Sequence, residues 1–398
     1  MLGVSTNVSR IASSVTLDIT ARAKRMAREG IDVVSFGAGE PDFDTPPHIK
    51  KAAIDAINEG FTKYTPSSGT PELREAIVRK FKEDNGLDYK IQQVVVSCGA
   101  KHSLFNIFQA ILNEGDEVII PAPYWVSYPE MVKSQGARPV YVETSCKNNF
   151  KVTAELVKSK VTKKTKGLIL NSPSNPTGCV YNAGELEEIA SLAVKYNFYV
   201  ISDEIYEKLV YDGKAHVSIA SLGSDIRDRT FVVNGVSKSY AMTGWRIGYA
   251  AGPSNVMEAI ANLQSHATSN PSSISQRAAL EALSGSQSCV EEMRLEFEKR
   301  RDYMVERIGR MRRISCVKPE GAFYLFCDVS GLKAAPAEIA NRLLDKAGVA
   351  VVPGEAFGAP RSIRMSFAAS VENIKKGLDR IECWINKHRD TKHRDTLP

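Results

Sequence analysis

The chain has 398 residues, 43% hydrophobic and 25% charged, with a formal net charge of +6 at neutral pH. That length exceeds one ordinary core and fits a large domain plus a smaller one, and the composition is that of a globular protein, not a disordered or fibrous one. The modest charge gives no sign of a nucleic-acid partner, no apolar run reaches the roughly 18 residues of a membrane helix, and the first residues carry no signal-peptide core.

Seven cysteines, an odd number with no C-x-x-C pairing, argue against a disulfide framework or a zinc site and for a reducing, cytoplasmic compartment. The six histidines form no metal-spaced cluster, so no metal is expected. The tail from Lys387 to Pro398 carries Lys-His-Arg-Asp-Thr twice in tandem. Its aspartates dilute the basic charge, and it reads as a solvated terminus.

In chain order, Ala21–Glu29 is the first amphipathic segment, expected to join the smaller domain. From Val94 to Gly252 short apolar runs alternate with helical spacing. Val94–Ser97, Glu117–Ile120, Pro139–Val142, Gly167–Leu170, Phe198–Ile201, Thr230–Val233 and Ile247–Ala250 read as strands. Leu104–Leu112, Glu185–Tyr196 and Val256–Ala267 read as helices. This rhythm predicts an α/β fold: a large domain with a mixed, mostly parallel sheet flanked by helices. After Asn270 the helices Ile274–Leu283 and Val290–Met311 lead into a smaller α+β unit. Its predicted strands are Ile314–Val317, Phe323–Cys327, Val349–Val352 and Ile363–Phe367, and its helices Glu338–Ala347 and Val371–Ile385. The boundaries drawn are 45–285 for the large domain, with 1–44 and 286–398 forming the small one.

In such sheets ligands sit beyond the carboxyl ends of the strands, and four motifs fall there. Ser97-Cys98-Gly99-Ala100-Lys101 is either a plain strand-to-helix turn or a phosphate cradle of free backbone N–H groups. Asn171 to Gly178 contains two prolines that favour an extended path; it is a structural turn, or it presents the Asn175 amide to a phenolic oxygen. Asp203 follows an apolar run, a costly place for a buried carboxylate without a partner, and a pyridinium N–H would serve as one. Tyr206, three residues on, is within reach of the ring oxygen beside an aldehyde, whereas Glu204 reads as structural or surface. Finally Lys238, just after Phe231-Val232-Val233, precedes Arg246 by eight residues. A lysine among apolar residues can lose its proton and attack an aldehyde, and a guanidinium suits a phosphate dianion. Aldehyde plus phosphate on one small molecule suggests pyridoxal 5'-phosphate.

With these four motifs, the runs Ala38–Pro46, Lys63–Pro66, Pro123–Met131, Ala241–Tyr249 and Ser362–Ser366 complete a pattern over about Asn7 to Ile385. The chain resembles the class I/II aminotransferases, pyridoxal-phosphate enzymes of fold type I, and in particular the bacterial-type aspartate aminotransferases of subgroup Ib. The resemblance implies roles for single residues. Lys238 is the Schiff-base lysine and general base, Asp203 keeps the pyridine nitrogen protonated, and Asn175 and Tyr206 hydrogen-bond the ring oxygen. Trp125 stacks on the ring. Gly99, Ala100, Lys101 and Arg246 hold the phosphate, joined by Tyr64 from a neighbouring subunit, which implies a homodimer with shared active sites. Arg364 clamps the substrate α-carboxylate, with Gly39, Trp125 and Asn175 beside it, and Lys101 is the cation for a second carboxylate.

Two departures stand out. Many relatives place a phosphate-binding serine where this chain has Gly235, with Ser237 beside the lysine instead. Some relatives that also use prephenate carry a lysine at the position of Ala12, which argues against prephenate amination here. The leading reading is transfer of the amino group of L-aspartate to 2-oxoglutarate by a ping-pong mechanism. An aromatic or broad-range aminotransferase comes second, and a carbon–sulfur lyase or a non-enzymatic regulator ranks lower. A regulator needs an added winged-helix domain, and the Gly39 motif stands too near the N-terminus to leave room for one.

Overall fold

Val94-Val95-Val96, Leu168-Ile169-Leu170 and Phe231-Val232-Val233 are buried on both faces, as strands of a sheet covered by helices on each side must be. The computed structural model describes residues 3–12 and 15–387, so the tandem repeat from residue 388 onward lies outside the described residues. Its strands in chain order are β1 (Val34–Ser35), β2 (Val94–Ser97), β3 (Glu117–Ala122), β4 (Arg138–Glu143), β5 (Thr165–Asn171), β6 (Tyr199–Asp203), β7 (Thr230–Gly235), β8 (Gly248–Ala251), β9 (Ser315–Cys316), β10 (Tyr324–Asp328), β11 (Val349–Ala350), β12 (Val352–Pro353) and β13 (Ser362–Ser366).

The fold is α/β. A seven-stranded sheet runs β2-β8-β7-β6-β5-β3-β4. Only β8 opposes its neighbours; the contacts from β7 through β6, β5 and β3 to β4 are all parallel. Alternate residues of β5 serve opposite faces. Ile169 packs with Leu104, Ile107 and Phe108 of the helix Ala100–Ile111. Leu168 and Leu170 pack with Leu186, Ile189 and Ala193 of the helix Ala183–Tyr196. That second helix is closed at both ends by its own sequence. Asn182 accepts the Glu185 N–H at 3.0 Å, the Glu185 carboxylate accepts the Asn182 N–H at 2.8 Å, and Asn197 takes a left-handed conformation after the last turn.

The smaller sheet is antiparallel, ordered β12-β13-β10-β9. The predicted strand Val349–Val352 is in fact two: β11 pairs with β1 in parallel, and β12 pairs with β13. Buried Val351 marks the change of partner. The helix Val371–Lys387 lays Ile374, Leu378, Ile381 and Ile385 into the cluster formed by Phe36, Phe297, Phe323 and Met365. The N-terminal helix Val15–Arg28 rests on the helix Pro336–Ala347, with Ala23 against Leu344 and the Arg22 guanidinium 2.5 Å from Asp345.

One close approach fixes the geometry of the ligand-facing edge. Gly235 and Gly248 are register partners of β7 and β8. A Cβ on Gly235 would stand 2.9 Å from the Gly248 Cα and 3.0 Å from the Ile247 carbonyl, and one on Gly248 would run into the backbone of Gly99 and Ala100. The first turn of the helix Ala100–Ile111 thus packs directly on β8, and a serine cannot stand at 235 without parting the strands. Gly248→Ala is expected to lower stability by about 1–3 kcal/mol, the usual cost of overpacking. Denaturant titration of parent and variant reads this, and an unchanged midpoint would show that the helix moves freely.

Candidate active site

Three strands of the parallel sheet end together and deliver chemistry. Asn171 closes β5, Asp203 closes β6, and Lys238 follows the end of β7 by three residues. Above them lies a cavity of about 590 Å³ whose walls include Gly39, Ala100, Lys101, Trp125, Asn175, Asp203, Tyr206, Lys238, Arg246 and Arg364. The chain thus gathers most of the residues singled out from sequence around one space.

Asp203 is buried. Its carboxylate accepts the Tyr128 hydroxyl at 2.7 Å and the Ile205 N–H at 3.3 Å, and its carbonyl accepts the Asn171 amide at 2.9 Å. Burial pushes its carboxyl up to about 6 against those hydrogen bonds. A cationic N–H donor above it would restore the ionised form.

Lys238 is half-buried and donates to the Gly39 carbonyl at 2.6 Å. Its ammonium lies 5.9 Å from the ring centre of Tyr206 and 6.0 Å from that of Phe323. Burial lowers its pKa to about 8, with the charges of Arg246 and Arg364 acting in the same direction and that of Glu40 opposing. A nucleophilic amine is therefore accessible near neutrality.

Arg364 comes from β13, in the other sheet. It is 3% exposed, donates to Asn175 Oδ1 and to the Gly37 carbonyl at 2.9 Å each, and lies 4.4 Å from the Tyr324 ring centre. Its buried Nε has no partner. A guanidinium held by neutral acceptors, with its Nε proton and further Nη protons unspent, is poised for a carboxylate. Tyr206 and Tyr324 share a hydrogen bond at 2.8 Å at its flank.

Gly99, with φ of +93°, precedes the helix Ala100–Ile111. A Cβ there would collide with the Arg246 guanidinium, so glycine keeps this arginine against the helix N-terminus. Arg246 donates to the carbonyls of Thr243 at 2.7 Å and Cys98 at 3.2 Å. Free first-turn N–H groups beside a guanidinium make an anion site. Lys101 stands 4.9 Å from the Trp125 ring centre, its pKa lowered by burial and then by Arg246.

Gly99 abuts Arg246 without lining the cavity, and Tyr64 stands apart. It is 91% exposed and lines no part of this cavity. Three residues not singled out in sequence do the positioning: Tyr128, which holds Asp203; Tyr324, which supports Arg364; and Asn171, whose Oδ1 accepts the Asn175 N–H at 2.7 Å. Tyr128 lies in the recognised run Pro123–Met131, the one signal that pointed to it.

Glu204 is fully buried, which removes the surface reading. It accepts Ser202 and Ser218 hydroxyls at 2.7 Å each and contacts His216 Nε2 at 3.0 Å. Among the described residues Glu204, Glu207 and His216 bring potential ligand atoms within 4.8 Å of one another. Lys80 already forms an ion pair with Glu207. Burial alone would lower the His216 pKa, but the Glu204 charge and hydrogen bond raise it overall. The group is a buried charge network, and none of the three residues lines the cavity.

The model of the family described as aminotransferase class I and II matches residues 31–381. The aspartate aminotransferase of Bacillus sp. (strain YM-2) is 52% identical over 96% of this chain and 99% of its own length. The probable aspartate/prephenate aminotransferase of Aquifex aeolicus is 49% identical over 96% of this chain and 98% of its own. Among solved structures, the aspartate aminotransferase from Thermus thermophilus with maleate superposes with a TM-score of 0.93 at 46% identity, covering 96% of this chain and all of that one.

The Lys238 amine yields a direct test. With its pKa lowered to about 8, the free amine becomes the main form above about that pH, whereas an ordinary lysine stays protonated until near 10.5. Capture of an added aldehyde at Lys238, trapped with borohydride and located by mass spectrometry, is expected to rise with a midpoint near pH 8. A midpoint above 10 would show an unperturbed amine. Tyr128→Phe removes a hydrogen bond that favours the Asp203 carboxylate, so the Asp203 titration, followed by NMR, is expected to move upward.

Proposed function

We propose that this chain, which belongs to the class I and II aminotransferase family, transfers the amino group of L-aspartate to 2-oxoglutarate, giving oxaloacetate and L-glutamate through two half-reactions with pyridoxal 5'-phosphate as cofactor. The observation that carries this reading is the meeting of three groups in one cavity. They are a lysine whose pKa is lowered to about 8, a buried carboxyl group raised to about 6, and an arginine with a free buried Nε. Relatives named as aspartate aminotransferases over nearly the whole chain support it.

The residues fit the cofactor. Asp203 lacks a cationic partner that a pyridinium N–H would supply, and the Gly99–Arg246 cradle suits a phosphate. When bound, the cofactor supplies an aldehyde for amines and an electron-accepting ring for charge developed at the substrate Cα. Asp203 would hold the proton on the ring nitrogen, Asn175 and Tyr206 would bond the ring oxygen, and Trp125 would cover one face of the ring. The Gly99 turn, the backbone N–H groups of Ala100 and Lys101 and the Arg246 guanidinium would grip the phosphate, leaving the Lys101 ammonium free. The Lys238 amine would first anchor the cofactor and then, once free, move the proton at the substrate Cα. Arg364 would take the α-carboxylate, with its Nε and an Nη proton as a two-pronged donor, while Gly39 offers backbone without a side chain beside it.

Lys101 would receive the second carboxylate. It lines the cavity and stands against Trp125. A second reading, a range extended to aromatic acids, draws on Thr20, Ala23 and Ala27, small side chains that line the cavity beside Lys24 of the same helix. Ala12 offers no cation there, its N–H donating to Glu130 at 2.9 Å. Tyr64 is too exposed for an unpartnered aromatic, and we assign it to the phosphate site of a second subunit in a homodimer. The cofactor would then rest on a large unit of residues 45–285, facing a smaller one built from both ends of the chain.

Lys238→Ala is expected to lower transamination by several orders of magnitude while retaining the cofactor without a covalent link; near-normal turnover would end the assignment. Lys101→Ser is expected to reduce aspartate and glutamate turnover at least about tenfold, roughly 1.4 kcal/mol, and to spare aromatic amino acids. Equal losses on both would assign Lys101 to the cofactor or the fold. Mixing Lys238→Ala chains with Tyr64→Phe chains tests the shared site: hybrid dimers are expected to regain one intact centre, and an active monomer by sedimentation would overturn the dimer.

A further inference from the structure

Cys316 and Cys327 are register partners across the antiparallel β9–β10 ladder. Directly opposed residues project from one face with their Cβ atoms about 4.5–5.5 Å apart, so a small approach of the two-residue edge strand brings them to the roughly 3.5–4.5 Å that a disulfide spans. Both are free thiols in the structure. Their surroundings differ. Cys327 is fully buried in the hydrophobic cluster of the smaller sheet, and Cys316 lies half-buried at its border, on the edge strand.

That difference assigns unequal chemistry to the pair. The neighbouring Cys327 holds the Cys316 thiol below its ordinary range, while Cys316 and burial together hold Cys327 well above it. Thiolate character and access together select the sulfur that reacts with an oxidant. Neither residue lines the active-site cavity. We propose that Cys316 and Cys327 form a reversible redox modification site, in which a hydroperoxide oxidises Cys316 and Cys327 then closes a disulfide across the two strands.

The reaction balances. The Cys316 thiolate attacks one peroxide oxygen, the O–O bond breaks, and the other oxygen leaves and is protonated to an alcohol, or to water from hydrogen peroxide. Cys316 then carries an S–OH group. The Cys327 sulfur attacks that sulfur, the S–O bond breaks, and the hydroxyl leaves as water with the Cys327 proton. Two thiols and one hydroperoxide give one disulfide, one alcohol and one water, and the two sulfurs together lose the two electrons that the peroxide gains. Because Cys327 pairs on its other side with Ile363, next to Arg364, the bond would tie the two-residue edge strand β9 to the ladder that carries the carboxylate-binding arginine.

The test uses the full-length protein exposed to hydrogen peroxide, with free thiols alkylated before digestion and mass analysis. The expected product is a Cys316–Cys327 linked peptide, two hydrogens lighter than its parts and released by dithiothreitol. The other five cysteines are expected to stay alkylatable. Cys316→Ser is expected to leave Cys327 as a thiol, and Cys327→Ser to let Cys316 run on to the sulfinic acid. Recovery of Cys316 in the parent protein as a free thiol or as sulfinic acid, with Cys327 still a thiol, would overturn the proposal. So would a peroxide-treated Cys327→Ser protein whose Cys316 shows no more over-oxidation than the parent.

Discussion

The ligand-facing edge of this protein is organised around a carboxyl group taken out of water at the end of a parallel strand. Desolvation makes Asp203 expensive to ionise, and the surrounding chain supplies only part of the compensation, through Tyr128 and the backbone of Ile205. The remaining demand is for a positive N–H donor from above. The same low-polarity setting that raises Asp203 lowers Lys238, so one act of burial brings an acid and a base toward neutrality from opposite sides. Arg364, half satisfied by carbonyl oxygens, completes a site whose unmet charges define what enters it.

Much of this was legible from residue types at strand ends. Lys238, Asp203 and the Gly99–Arg246 pair announce their chemistry, and Val-rich or Ile-rich runs mark the strands that carry them. Other features were not. The helix Pro47–Asn58 buries Ile49, Ala53 and Ala56 but leaves Ile54 and Ile57 more than half exposed, which blurs its apolar stripe. The predicted strand Val349–Val352 has one uninterrupted apolar run, and nothing local says that its halves pair with different sheets. Tyr324 supports Arg364 only because β10 and β13 lie side by side, a long-range fact that no spacing encodes.

Glu204 illustrates how far a buried polar residue can be from the reaction that its neighbour serves. Beside Asp203 in sequence, it points instead into a closed network with Ser202, Ser218 and His216, near the Lys80–Glu207 ion pair. Burial would raise the Glu207 pKa, yet Lys80 and His216 outweigh it and bring it to about 2. Paired charges of this kind fix the turn after β6, although the buried His216 Nδ1 has no partner of its own. They hold Asp203 and Tyr206 in register for the cavity side.

The parallel pairing of β1 with β11 has a consequence for how the protein is made. Val34 donates to the Gly348 carbonyl and Phe36 to the Ala350 carbonyl, at 2.8 Å each. Val34 is synthesised well before Val349, with all seven strands of the large sheet between them. The seven-stranded sheet between them can close on itself while translation continues. The segment leading to Gly39 must wait, its apolar Val34 and Phe36 without their final neighbours, until Gly348 to Ala350 have left the ribosome. The wall that holds Arg364 therefore assembles after the large sheet, and a nascent chain stalled before residue 348 would carry the Lys238 and Asp203 side of the cavity without its Arg364 side.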